Sequence, residues 1–146
     1  MLFFVLTLSA CTGERPKDLG VQDGKLKNCP SSPNCVSTNA TEDAEHSVKP
    51  LLFSADAKEV MGRVKRAVES QDRVRIITEK ENYLYAEFES LVFRFVDDVE
   101  FYFDSQTGTL HVRSASRIGK SDLGVNRERV ELIYSLLKKT DKKPKA

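Results

Sequence analysis

Two hydrophobic periods divide the middle of this 146-residue chain. In "LLFSADAKEVMGRVKRAVESQ", Val60, Met61, Val64, Ala67 and Val68 recur three and four residues apart, which is one stripe of a helix. Ser54 is placed to cap that helix, and Gly62 weakens it without interrupting the stripe. The pattern then changes to strict alternation. Val74 and Ile76 share a side in "RVRIITEK", and Leu84, Ala86 and Phe88 share one in "YLYAEFES", opposite Tyr83, Tyr85, Glu87 and Glu89. "LVFRFVDDVEFYFD" is too long for one average strand and predicts a bend near Asp97-Asp98. Beyond the bend Val99, Phe101 and Phe103 oppose Asp98, Glu100 and Tyr102. "SQTG" is a turn with glycine at its end. "TLHVRSAS" then turns Leu110 and Val112 inward and His111 and Arg113 outward.

A second helix starts near Asn126, which is placed to cap it, with Val125 and Val130 as a hydrophobic staple. Its stripe is Val130, Ile133, Tyr134 and Leu137. Together these elements predict one two-layer α+β domain over residues 29–140. About four strands form an antiparallel meander, with two helices packed on one face. The other face would carry Tyr, Glu, Arg and His.

Composition fits one globular domain with a core of its own: 40% apolar, 31% charged, no Trp. A net charge of +1 gives no general field for nucleic acid. The charge is unevenly spread, however. Eight acids lie between Thr78 and Asp104, and five of the basic residues lie between Val112 and Val130. Neutralisation of acidic strands by a basic neighbour accounts for this.

The N-terminus "MLFFVLTLSAC" reads as an export signal over 1–10, an apolar run ending in small residues. Leu8-Ser9-Ala10-Cys11 resembles the lipobox of bacterial lipoproteins. That resemblance implies cleavage before Cys11 and acylation of it, palmitate included, and so a membrane anchor on the cell envelope facing the periplasm or exterior. Thr12 after Cys11 points to the outer membrane in a Gram-negative cell. The competing reading is a buried N-terminal strand with an ordinary cysteine. Residues 11–28 are polar with scattered Gly and Pro and read as a flexible tether. Residues 141–146 are a lysine-rich tail, solvated or attracted to anionic headgroups.

Cys29 and Cys35 enclose the stiff segment "PSSPN". An exported chain permits a disulfide between them. A metal site would need closer ligands, and a redox pair is more usually C-x-x-C, so the disulfide is the preferred of the three.

The segments "CPSSPNCVST", "YLYAEFES", "FVDDVEF" and above all "VRSASRIGKSDLGVNRERVE", with His46 and Pro50-Leu51, resemble the domain of unknown function 1499 family. The resemblance spans about Cys29 to Leu136. It implies one compact α+β domain and supplies no catalytic residue.

Two readings stay open for residues 112–130. In one, Asp97, Asp98, Glu100, Asp122 and Arg129 form a polar network that fixes helix to sheet. In the other, Arg113, Ser114, Ser116, Arg117, Asn126 and Arg127 converge at the start of the last helix and bind an anion. The partners expected are therefore the membrane, through the anchor, and an anionic small molecule, a lipid headgroup or an envelope protein. No P-loop, dinucleotide fingerprint or zincin motif occurs, and no cofactor, metal or catalytic residue is assigned. The function expected is that of a non-enzymatic binding or scaffolding module. The alternative is a small hydrolase or isomerase using Asp98, Glu100 and His111.

Overall fold

The computed structural model describes residues 13–40 and 43–141. The expected export signal and Cys11, and the tail beyond Asp141, lie outside the described residues.

Six antiparallel strands and two helices follow in the order β1 (Cys35–Ser37), β2 (Leu51–Leu52), α1 (Ala57–Glu69), β3 (Val74–Lys80), β4 (Tyr83–Glu89), β5 (Val96–Asp104), β6 (Thr109–Ser116) and α2 (Val125–Asp141). The sheet order is β1-β6-β5-β4-β3. The four predicted strands are the meander β3–β6. The other two, β1 and β2, pair in tandem along the free edge of β6, at Ala115–Arg113 and Leu110–Thr109. They were missed because runs of three and two residues are too short to show a period. Their effect is to cover an edge that would otherwise offer unpaired N–H and C=O groups.

Residues from both helices and from one set of alternating strand positions make the main core. Val60, Val64 and Val68 of α1 and Val130, Ile133 and Leu137 of α2 join Leu84, Ala86, Phe88, Val99, Phe101, Phe103, Leu110 and Val112. Side chains such as Phe101, Phe103, Leu84 and Ile133 are wholly removed from water, each contributing on the order of 1.5–3 kcal/mol. Arg63 also enters this region, donating to the Leu137 carbonyl at 2.7 Å and stacking over Phe53 at 5.0 Å.

Both helix starts differ from expectation. The cap of α1 is Asp56, not Ser54: its carboxylate accepts from the Glu59 N–H at 2.8 Å. An anion at the positive end of the helix dipole does this better than a hydroxyl two residues away. At α2 the cap is supplied by Asp122, whose carboxylate accepts from the N–H groups of Gly124 and Asn126 at 3.1 and 2.8 Å. Asn126 itself lies inside the helix and is fully buried.

No bend occurs at Asp97-Asp98. The strand runs unbroken from Val96 to Asp104, paired on both sides, and "LVFRF" belongs to the preceding loop rather than to the strand. The turn before β6 needs its glycine. Gly108 has φ +66°, and a Cβ there would lie 2.5 Å from the Phe53 carbonyl oxygen. Cys29 and Cys35 form a disulfide.

The expected tether behaves differently over its described part. Residues 13–28 lie on the sheet as a strap. Leu26 is buried in a second apolar cluster with Tyr83 and Tyr85, flanked by Leu19, Ile77 and Tyr102. A polar segment can order itself when the surface beneath it offers both an apolar pocket and unmet carboxylates.

Candidate functional site

Alternation along β4, β5 and β6 sends Tyr83, Tyr85, Glu87, Asp98, Glu100, Tyr102, His111 and Arg113 to the side opposite the main core. The register sets Glu87 directly across from Asp98. Two carboxylates so placed repel. Arg117, just past the end of β6, lies between them. Its Nε donates to both Asp98 oxygens at 3.1 and 3.0 Å, and its Nη2 donates to Asp98 Oδ1 at 2.7 Å, to the Tyr85 hydroxyl at 3.1 Å and to Glu87 Oε1. The Tyr85 hydroxyl donates its one hydrogen bond to Asp98 Oδ1 at 2.5 Å, which is closer than Glu87 Oε1 at 3.1 Å. Arg75 Nη2 and Arg15 Nε reach the Glu87 carboxylate at 2.6 and 2.7 Å. Burial alone would raise the pKa of Glu87, but the hydrogen bonds from these three arginines outweigh it and hold the group well below the usual carboxylate range. Arg117 is raised, chiefly by its hydrogen bonds to Asp98.

Glu100 is fully buried one step along the same face. Its Oε1 accepts from the Gly20 N–H at 2.7 Å and from the Tyr83 hydroxyl at 2.8 Å. Its cross-strand neighbour Arg113 brings Nη1 to 3.6 Å of Oε2. Glu100 Oε2 and Arg113 Nε have no hydrogen-bond partner among the described residues. Desolvation dominates here and pushes the Glu100 carboxyl up. Burial likewise raises the Tyr83 and Tyr85 hydroxyls.

On the opposite side of the sheet Asp97 pairs with Arg129 of α2 at 2.6 Å, and the guanidinium covers Phe88 at 4.8 Å. Arg129 Nη1 also donates to Ser114 Oγ at 3.1 Å and Asn126 Oδ1 at 2.9 Å. The Asn126 amide donates to the Asn34 carbonyl, Ser116 Oγ and Asp122 at 2.8–3.1 Å. This network staples α2 to β6 and to the segment before β1. Arg127 points elsewhere, to the carbonyls of Ala44, Glu45 and Ser47 at 2.9–3.4 Å.

The six residues expected to converge on an anion are therefore split three ways. Arg113 and Arg117 lie on the strap side, Ser114, Ser116 and Asn126 on the α2 side, and Arg127 holds a loop. Asp97 and Asp98 face opposite ways, as neighbours in a regular strand must. Of the expected network, Asp97, Asp122 and Arg129 do meet, through Asn126, whereas Asp98 and Glu100 belong to the other face.

The histidines are committed as well. His46 is buried beside a cleft of about 480 Å3 lined by Cys29, Asn39 and Asp43. Its Nδ1 meets Asp43 Oδ2 and its Nε2 meets the Ser32 carbonyl at 3.0 Å. With both nitrogens on acceptors the ring favours the imidazolium, and the Asp43 hydrogen bond raises its pKa. His111 stacks on Tyr102 at 5.9 Å, and burial lowers it. Among the described residues no three His, Cys, Asp or Glu side chains group so as to hold a metal ion.

The sequence sets Tyr83, Tyr85 and Glu87 on one polar face of the sheet, but does not join them to Arg117, and sequence reasoning passed over Arg15 and Arg75. It also passed over one end of the sheet. Asp97 pairs with Ser116 there, so the β4–β5 loop and the segment leading to α2 leave side by side. Leu91, Val92 and Phe93 are 71%, 74% and 70% exposed, and Leu123 is 91% exposed. Phe93 stacks on Phe95 at 5.3 Å. A cleft of about 450 Å3 adjoins them, lined in part by Phe88, Leu91, Val125, Leu132 and Arg129. Among the described residues no helix is long and apolar enough to cross a membrane.

A search of curated proteins finds no match. The sequence model of the family described as "Protein of unknown function (DUF1499)" matches residues 25–137, and that stretch runs from the end of the strap through β1–β6 and most of α2, so the chain belongs to this family.

Proposed function

We propose that the chain is an anchored, non-enzymatic binding module of the cell envelope, and that its contact surface is the apolar end of the sheet rather than the arginine-rich segment. In this reading Cys11 carries the lipid, the two helices back one face of the sheet, and the strap covers the other. The observation that carries the reading is the pair of loops that present Leu91, Val92, Phe93 and Leu123 almost fully to solvent. Apolar side chains gathered at one end in this way mark an interaction site more often than chance exposure.

The geometry lends less support to an anion subsite at the arginines. Arg117 and Arg129 are met by carboxylates, Arg113 faces Glu100, and Arg127 is spent on carbonyls. It lends less again to a hydrolase or isomerase. Asp98 is bound by Arg117 and Tyr85, Glu100 lies under the strap, and neither they nor His111 line the clefts described above.

Photo-crosslinking in intact cells tests the reading. A photoreactive residue at position 93 should form adducts, while one at position 52, exposed on β2 at the far end of β6, should not. Equal yields at the two positions would remove the case for this surface.

A further inference from the structure

The strap fixes the position of Gly13, the first described residue. Arg15 is held by Glu87, and the Gly20 N–H by Glu100. Gly13 lies so close against Arg117 and Ile118 that a Cβ on it would be 2.9 Å from each. Arg117 follows the last residue of β6 and donates its N–H to the Val96 carbonyl at 3.1 Å. Gly13 therefore sits at the same end of the sheet as the β4–β5 loop and Leu123. Cys11 is two residues before Gly13, and two residues of chain span at most about 7 Å. Cys11 is the residue that carries the lipid in the reading above.

Two independent features thus share one end of the molecule. One is the start of the strap, two residues from the proposed lipid on Cys11. The other is two separate loops that expose apolar side chains, Leu91, Val92 and Phe93 on one and Leu123 on the other. Exposed cations neighbour those tips: Lys120 three residues before Leu123, Arg94 next to Phe93 and paired with Glu89 at 2.7 Å, and Arg73 in the adjoining cleft, which Asp72, Glu89 and Glu128 also line. We infer that this end seats on a phospholipid bilayer, with Leu91, Val92, Phe93 and Leu123 inserted at the headgroup–acyl boundary and Arg73, Arg94 and Lys120 level with the phosphates. Apolar side chains on two separate loops suit a fluid surface, which needs no matching relief, and binding at the headgroup–acyl boundary grows with the apolar area buried and with attraction of basic neighbours to anionic lipid. The inference rests on the apolar end being the contact surface and adds what it contacts.

The chain has no Trp, so a single introduced Trp reports its own depth. The full chain, purified from bacterial membranes as Phe93→Trp, Leu123→Trp or Leu52→Trp, is reconstituted in phosphatidylethanolamine–phosphatidylglycerol vesicles with or without acyl-chain-brominated lipid. Leu52 pairs with Thr109, and Thr109 with Asp104, at the end of the sheet away from Gly13. All three sites are exposed, and unchanged thermal melting confirms that each variant folds. The expected result is blue-shifted emission and several-fold quenching at positions 93 and 123, with water-like, unquenched emission at 52. Quenching at neither loop, at one alone, or equally at all three overturns the inference. If quenching fails while position 93 still crosslinks to a protein or to a second copy, the bilayer is refuted and the apolar end remains the contact surface. If crosslinks fail too, both fall.

Discussion

Arg117→Ala separates a structural ion network from an anion site. The Arg117 side chain is 7% exposed and the carboxylates it touches no more than 5%. Removing it leaves Asp98 with the Tyr85 hydroxyl alone, directly across from Glu87. Breaking a buried pair by deleting one partner costs about 3–5 kcal/mol. Glu87 retains Arg15 and Arg75, so the cost falls toward the lower end, about 3 kcal/mol. For a domain of this size that lowers the melting temperature by roughly 10–15 °C. Urea unfolding of the oxidised protein, followed by circular dichroism, measures it. Arg117→Met combined with Asp98→Leu, which removes both charges and keeps the volume, should recover most of the loss. A single variant within about 1 kcal/mol of the parent would mean that the pair is solvated and that the guanidinium is available to a ligand. Native mass spectrometry of the parent would then show a retained anion that the variant lacks.

Three further outcomes follow from the same geometry. Glu87 titrates below its unfolded value, so its stabilisation is present above about pH 4.5 and is lost as the pH falls below that. Glu100 is shifted the other way, so its ionisation costs stability as the pH rises from its unfolded value toward its folded one. Glu100→Gln should flatten that decline, which begins near pH 4.5, in a pH series of melts and leave the acid limb intact. His46 is raised above 6.5 by Asp43, so its contribution is complete below pH 6.5 and disappears as the pH climbs through the folded value. His46→Gln should abolish that segment of the profile, and hydrogen exchange should rise at His46 and Ser47, whose N–H groups bond to the Asp43 carbonyl. Reduction, or Cys29→Ser with Cys35→Ser, opens a ring with a sequence separation of 6 and should cost about 2 kcal/mol in chain entropy, read as a lower urea midpoint at unchanged slope.

What could be read from the residues was whatever announces itself locally. The meander was legible because the strands alternate apolar side chains toward the helices with polar ones toward the strap, which writes a period of two even where both faces are buried. Both helix stripes were legible for the same reason at 3.6. The caps shifted because Ser54, Asp56, Asp122 and Asn126 are all good capping types, and only the backbone decides among them. Asn126 shows the cost of reading by type: a side chain suited to a cap is equally suited to a buried hub, with both amide ends satisfied. The strap was illegible because its partners are 72 and 80 residues away. Its two leucines are too few to show any period. "LVFRF" was read as strand because its residue types favour strands, yet with no face to bury it became the exposed loop.

The strap changes what the buried carboxylates are for. Arg15 is half exposed, and a pair of that kind adds little stability. Glu100, buried and only partly satisfied, costs stability by itself. Their joint effect is positional. Leu26 fixes one point of the strap in the tyrosine pocket, the Gly20–Glu100 bond fixes a second, and Gly13 against Arg117 fixes a third. An 18-residue flexible tether would let the domain wander roughly 20–25 Å from its anchor. Three fixed points shorten the link to Cys11 to two steps of chain, through Thr12, about 7 Å of reach. If the proposed lipid is on Cys11, so short a link keeps the Gly13 end, with Phe93 and Leu123, nearest the proposed bilayer. Releasing the strap with Glu87→Ala and Glu100→Ala together should therefore leave the anchor in place but withdraw position 93 from the brominated acyl chains. Quenching that persisted at 93 in that variant would show that the loops find the membrane without the strap.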